Sequence, residues 1–478
     1  MVTPTTKPSS ALVRYGGFVA SVGAGRMLGL LITSVTFPIL VRRLGVETYG
    51  VWSYVIAVCA FFEVIANPGL TTHAMQQVAA HRKDAAPLVS DILALRGLSV
   101  LIAILALLVL SAFETRPDVR RLLLGYGVGV LFIGLVGADF LLSSLELFHV
   151  RSALTLAQQA LYAAGVLTLV RTPKDIFWLP ASILGSSLAT SLVGWFILWR
   201  TGFRLPLAVN PDRWRAILVP SLHYAATTAM ATVYHRTGHL VVRWFLGDYA
   251  LGLYAAAVRF VDLLRNFVSI ALNVLMPRMA LAAQSRAGMK RLVQAAVSAV
   301  AAVSIPLTLG TLATANLVVP WILGKSYADA IRLVRLLSPL SLAAPVASLF
   351  AGTVLYAMGR HRAYLVSSAV GALTAVVFSF GLVRVAGLPG VCIAFVLAEA
   401  AVGVAAYLQI PSELRDVWKN PMIIVAGFAG LAMMAVVKLV NSYSSRPLVV
   451  VISGAAMYLI VLFASGRTVL REQFGDAR

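Results

Sequence analysis

Apolar stretches of about 20 residues or more recur along the whole of this chain, separated by short polar breaks. That length lets an α-helix cross a hydrocarbon layer about 30 Å thick. Fourteen spans are expected, approximately at 12–40, 49–79, 90–113, 122–147, 152–171, 177–199, 215–245, 249–283, 292–316, 327–358, 363–385, 389–410, 421–441 and 447–466. The composition agrees: 60% of the 478 residues are hydrophobic and 12% are charged, against about 25% charged in a soluble chain. The fold class is an all-α polytopic membrane protein.

The formal net charge is +21, but the basic residues sit in short loops and at helix ends, so the charge reflects loop placement and not a nucleic-acid partner. With an even number of spans both termini face one side. Placing them in the cytoplasm puts about 21 Lys and Arg inside and about 15 outside, the sign that the positive-inside rule expects. Residues 1–10 lack a compact signal-peptide pattern. Cys59 and Cys392 both lie in apolar segments and form neither a disulfide framework nor a metal-ligand spacing. Span two is broken by Asn67-Pro68-Gly69, a kink or unwound point. No loop exceeds about 20 residues, which leaves no extramembrane domain for an active site.

A short sequence repeats. Leu44-Gly45 and Gly50-Val51-Trp52 match Leu246-Gly247 and Gly252-Leu253-Tyr254, 202 residues further on. Each copy joins an odd-numbered span to the next one. Both copies fall on the same membrane side, as in a parallel repeat about an axis along the membrane normal.

The segment Tyr249–Ala283 is apolar enough to span, yet it carries Arg259, Asp262, Arg265, Asn266, Ser269 and Asn273. At about 100° per residue these six fall within an arc of about 120°. A charge at the centre of a spanning helix costs about 2.5–3.5 kcal/mol, so this face needs a polar surface. A water-filled cavity supplies one, and a cavity in a membrane points to transport. Asp262 stands three residues from both arginines and can pair with either. The trio is either a self-neutralised structural group or a binding surface with a residual charge of +1. Arginine's planar fork suits a phosphate.

Other spans carry polar groups too. Span one holds Arg14, which can snorkel to the headgroups, and Arg26, about 18 Å deeper, which favours a cavity role. Span seven groups Thr228, Thr232, His235, Arg236 and His239 within about 80°. His235 and His239 have a chelating spacing, but no third ligand is evident and Arg236 repels a cation, so no metal is expected. Glu63 and Glu399 lie deep in spans and are either proton or sodium coupling sites or partners for an arginine. Asp139 and Glu146 are also within spans, and Glu146 with Arg151 lies near a cytoplasmic end. No phosphate-binding Gly-Lys-Ser/Thr loop, HExxH or GxSxG motif is present, so an enzyme is not expected.

Phe37-Pro38, Arg43-Leu44-Gly45 and Tyr49-Gly50 resemble the first loop of polysaccharide exporters, the Wzx-type flippases of the multidrug/oligosaccharidyl-lipid/polysaccharide superfamily. The runs Gly252–Ala257, Met276–Met279, Trp321–Ala330 and Val354–Arg360 resemble them as well. One departure is Gly238-His239, where such proteins often carry Asp-Arg. The resemblance implies two six-helix lobes around a central cavity, 1–206 and 207–411, with two further helices and a tail over 412–478. It also implies an undecaprenyl-diphosphate-linked oligosaccharide moved from the cytoplasmic to the periplasmic leaflet, with no cofactor beyond a coupling proton or sodium ion. The partners expected are membrane lipid, a glycan polymerase and a chain-length regulator. In the related lipid II flippases, arginines on spans one and eight meet the diphosphate; Arg14, Arg26, Arg259 and Arg265 lie in those spans, with Asn266 and Asn273 on the same face as Arg259 and Arg265. A drug/cation antiporter of the same fold wants an acidic cavity where this one reads basic. A membrane polymerase or transferase wants a sizeable external loop.

Overall fold

In the computed structural model the described residues are 8–80, 85–145, 147–203, 209–282, 285–444 and 446–474. The side chains of Arg14, Arg26, Ser269 and Asn273, and the whole of Glu146, lie outside what is described. No strand occurs among the described residues. The helices run α1 (Pro8–Ala66), α2 (Leu70–Ala80), α3 (Ala85–Ala112), α4 (Pro117–Val136), α5 (Asp139–Ser144), α6 (Phe148–Leu169) and α7 (Trp178–Arg200). They continue with α8 (Trp214–Ala282), α9 (Arg286–Leu323), α10 (Ala330–Leu337), α11 (Leu340–Ala347), a π-helical turn over Ser348–Leu355, α12 (His361–Gln409), α13 (Pro421–Tyr443) and α14 (Pro447–Phe474).

Ten helices among the described residues are long and apolar enough to cross a membrane, so the expected fourteen spans do not appear as fourteen separate helices. Three of the ten runs, within α1, α8 and α12, each contain two expected spans joined across a bend. The bends fall at Gly45 (φ 70°), Gly247 (φ 85°) and Gly387 (φ 61°). A side chain at such a φ clashes with the backbone, which is why glycine stands at these corners. Many large apolar side chains face outward: Val109 is 62% exposed, Phe428 68% and Ile460 64%. A surface of that kind on helices long enough to span suits lipid, and the chain is a multi-pass membrane protein.

The chain forms two compact units. The first comprises 1–43 with 58–228, and the second 44–57 with 229–478. In the first, Leu70, Ala74, Ile92, Leu141 and Leu198 share one apolar core. The helix breaks after Ala66 and resumes at Leu70, and Asn67 Oδ1 accepts the Thr71 amide (3.1 Å) as a cap. The Arg43 guanidinium donates to the carbonyls of Val166, Leu167 and Val170 (3.2, 2.8 and 2.7 Å), satisfying the open end of α6.

In the second unit the two copies of the repeat lie against one another. A Cβ on Gly50 would stand 1.9 Å from the carbonyl oxygen of Asp248, and a Cβ on Gly252 would stand 1.9 Å from that of Val46. Val46 and Asp248 are themselves equivalent in the repeat, so the contact is reciprocal and the two segments are related by a local twofold. Only glycine allows this approach of backbone to backbone. Arg243 stacks on the Tyr54 ring at 3.6 Å and pairs with Asp248 at 2.9 Å beside the crossing. At the other end of the unit α13 and α14 pack on α9. There Asn420 Nδ2 donates to the Gln294 carbonyl (3.0 Å) and the Ser298 hydroxyl (2.9 Å), and the Tyr458 hydroxyl donates to the Ala302 carbonyl (2.6 Å).

Candidate functional site

The polar stripe lies on the second half of α8, after the Gly247 bend, in the second unit. Arg259 is exposed, while Asp262, Arg265 and Asn266 are partly buried. The long run of Ala, Val, Leu and Phe keeps this segment helical, and the three-residue spacing sets Asp262 and Arg265 side by side. Arg265 Nε lies 2.9 Å from Asp262 Oδ1, an ion pair outside good hydrogen-bonding angles.

Arg265 has a second carboxylate partner. Its Nη1 donates to Glu399 Oε1 at 3.1 Å, from a residue 134 positions away on α12. The Glu399 side chain is 3% exposed, whereas those of Asp262 and Arg265 are 23% and 19% exposed. His235 Nδ1, on the first half of α8, stands 4.0 Å from the same Glu399 oxygen. Its ring sits on Tyr234 (4.0 Å between centroids) and edge-on to Phe395 (5.9 Å).

Arg265, Glu399 and His235 border a cavity of about 180 Å³, lined also by Tyr234, Asn266, Tyr364 and Ser368. Its far wall comes from the end of α11 and the π turn, through Ala347, Ser348, Ala351 and Gly352. Thr353 Oγ1 donates to the Ser348 carbonyl five residues back (3.2 Å), a reach that belongs to the wider turn. π turns inside helices are frequent at functional sites.

The structure therefore brings Asp262, Arg265, Asn266 and Glu399 together. Glu63 belongs to the first unit and is exposed on α1. Arg259, Asp262 and Arg265 carry a formal +1 between them, and Glu399, on another helix, brings a further negative charge to Arg265. Tyr234, Tyr364, Ser348 and Ser368 were not singled out from sequence. Tyr364 and Ser368 are four apart on α12, a spacing that marks one helix face, but hydroxyls are too common in spans to stand out.

His239 does not join His235. It is buried edge-on to Tyr254, 5.2 Å between ring centroids. No group of three or more His, Cys, Asp or Glu with metal-binding geometry occurs among the described residues. Gly238 makes room for the Tyr254 hydroxyl, which would lie 2.4 Å from a Cβ there. The departure at Gly238-His239 is thus filled by an aromatic contact.

The fold is similar to that of several solved membrane transporters. The lipid II flippase MurJ, in an inward closed conformation, is similar in fold with a TM-score of 0.78 at 13% identity, covering 94% of this chain and 99% of that one. An inward-facing multidrug resistance MATE family transporter gives 0.66 at 14% identity, covering 82% and 96%. A MOP superfamily transporter from Pyrococcus furiosus Vc1 gives 0.57 at 15% identity, covering 84% and 96%. No curated protein matches by sequence. A family model described as polysaccharide biosynthesis protein matches residues 18–283, more than half of the chain, and the protein belongs to that family.

Proposed function

We propose that this protein is a flippase that carries an undecaprenyl-diphosphate-linked oligosaccharide from the cytoplasmic to the periplasmic leaflet of a bacterial inner membrane. The observation that carries this reading is the arginine face of α8, on a transporter fold, in a chain of a polysaccharide biosynthesis family. Arg259 and Arg265 bind the diphosphate through charge-assisted, bidentate hydrogen bonds, with Asn266 beside them. Arg14, Arg26 and Asn273 are further candidates for binding the diphosphate, and the polyprenyl tail stays in lipid. Residues 1–206 and 207–411 act as the two lobes of an alternating-access cycle, with both termini cytoplasmic. The glycan polymerase and chain-length regulator of the same route receive the product, and the protein itself carries out no covalent chemistry.

The test uses proteoliposomes containing a fluorescent polyprenyl-diphosphate oligosaccharide, with dithionite quenching to report the leaflet. The wild type should move the probe. Arg259→Ala and Arg265→Ala should lower the rate at least tenfold while the protein remains inserted. A wild-type rate in Arg265→Ala would overturn the assignment of this face.

A further inference from the structure

We infer that Glu399 and Asp262 are an internal stand-in for the anion of the substrate: they hold Arg265 while the site is empty, and when a diphosphate takes the guanidinium, Glu399 takes up a proton. This rests on the proposed diphosphate substrate. It goes further by giving the buried carboxylate a role and by naming the coupling ion.

The geometry is that of an occupied anion site. Arg265 presents Nε to one carboxylate at 2.9 Å and Nη1 to another at 3.1 Å. Two nitrogens of the guanidinium thus face carboxylate oxygens, and the anionic oxygens of a diphosphate can take their place. The two carboxylates are not equivalent. Asp262 is partly exposed and on the same helix, so water can take over from Arg265. Glu399 is 3% exposed and on another helix, and meets water only through the small cavity that it lines. A carboxylate left unpaired in such surroundings is strongly disfavoured, and the group neutralises instead.

A proton is the only cation the surroundings admit. Among the described residues the titratable or charged groups around Glu399 are Tyr234 and His235 on the first half of α8, with Arg236 next to them in the chain, Asp262 and Arg265 on its second half, and Tyr364 on α12. The α11 and π-turn wall contributes Ala344 to Gly352, none of which titrates. The guanidinium already fills the place a metal ion would take, and a returning Arg265 would repel one. The cavity, at about 180 Å³, exceeds the roughly 10–15 Å³ one water requires, so water can bring the proton to Glu399. In the balance, one hydronium ion gives its proton to Glu399 and becomes water. Arg265 exchanges carboxylate for phosphate oxygen, and no covalent bond other than the O–H changes. Release of the diphosphate reverses both events.

The experiment measures binding of undecaprenyl diphosphate capped with a disaccharide to the full chain in nanodiscs. The cap makes both phosphates diesters, so the probe itself does not titrate between pH 5.5 and 8.5. Binding should tighten as pH falls, approaching tenfold per pH unit, with close to one proton taken up per molecule bound in weak buffer. Glu399→Gln should bind at every pH as the wild type does at low pH, without proton uptake. His235→Gln should retain the uptake. Wild-type binding that is independent of pH, or uptake lost in His235→Gln but kept in Glu399→Gln, would overturn the exchange while leaving the substrate reading in place. No binding by the wild type at any pH would overturn the substrate reading as well. The wild-type proton count decides the matter even if Glu399→Gln fails to fold.

Discussion

Removing Arg265 should destabilise the second unit far more than removing its buried partner, and removing both together should restore most of the loss. In Arg265→Met, Glu399 at 3% exposure loses its guanidinium and must either stand ionised and unpaired or take up a proton to stay folded. Breaking a buried pair from one side costs about 3–5 kcal/mol, and the 23% exposure of Asp262 lets water absorb its share. Glu399→Gln keeps an acceptor in place and leaves Arg265 with Asp262, so its cost is about 1–2 kcal/mol, the loss of one charged hydrogen bond. In Arg265→Met with Glu399→Met two apolar side chains of similar length replace the pair, a change often neutral in buried sites. The double variant should therefore be at least about 2 kcal/mol more stable than the sum of Arg265→Met and Glu399→Met measured singly, the coupling expected of residues in contact. Equilibrium unfolding in mixed micelles gives the four free energies, and the proteoliposome assay run on the same samples should find the double variant folded but inactive. Additivity within about 0.5 kcal/mol would mean that the two side chains do not interact, and the site as described would be wrong.

Three further outcomes follow from the packing. Gly252→Ala and Gly50→Ala each set a Cβ 1.9 Å from a carbonyl oxygen, and such overpacking against backbone should cost about 1–3 kcal/mol in thermal or denaturant unfolding; because one parting of the segments relieves both clashes, the double variant should cost less than the sum. Arg243→Ala removes both the Tyr54 stack at 3.6 Å and the Asp248 pair, and should lower stability by about 1–2 kcal/mol, with Arg243→Lys recovering only part because lysine lacks the planar face. Asn420→Ala frees α13 from Gln294 and Ser298 and should cost about 1–2 kcal/mol, read as faster proteolysis of the linker between α12 and α13.

Much of this was legible in the sequence because spans, breaks and faces are local. The Asn67-Pro68-Gly69 break and the grouping of Asp262, Arg265 and Asn266 follow from helical geometry alone, and the glycine repeat was visible as a spacing. What the spacing could not show is that the copies touch, since a contact between Gly50 and Gly252 depends on how helices pack. Glu399 was open for the same reason: a carboxylate in a span pairs with whichever cation the fold delivers, and here that cation comes from 134 residues away. The π turn at Ser348–Leu355 left no sequence mark, because a widened turn uses the same apolar residues as an ordinary one.

The glycine crossing also bears on how such a chain could arise. Gly50 meets the oxygen of Asp248 as Gly252 meets that of Val46, which is the form of an isologous interface, in which a patch binds its own copy. A six-helix ancestor bearing one such patch could have dimerised with itself in the membrane, both copies inserted the same way round. Fusion would then have freed the halves to diverge, so that the Arg265–Glu399 pair arose in one of them while the shared glycines stayed under the constraint of each other's backbone.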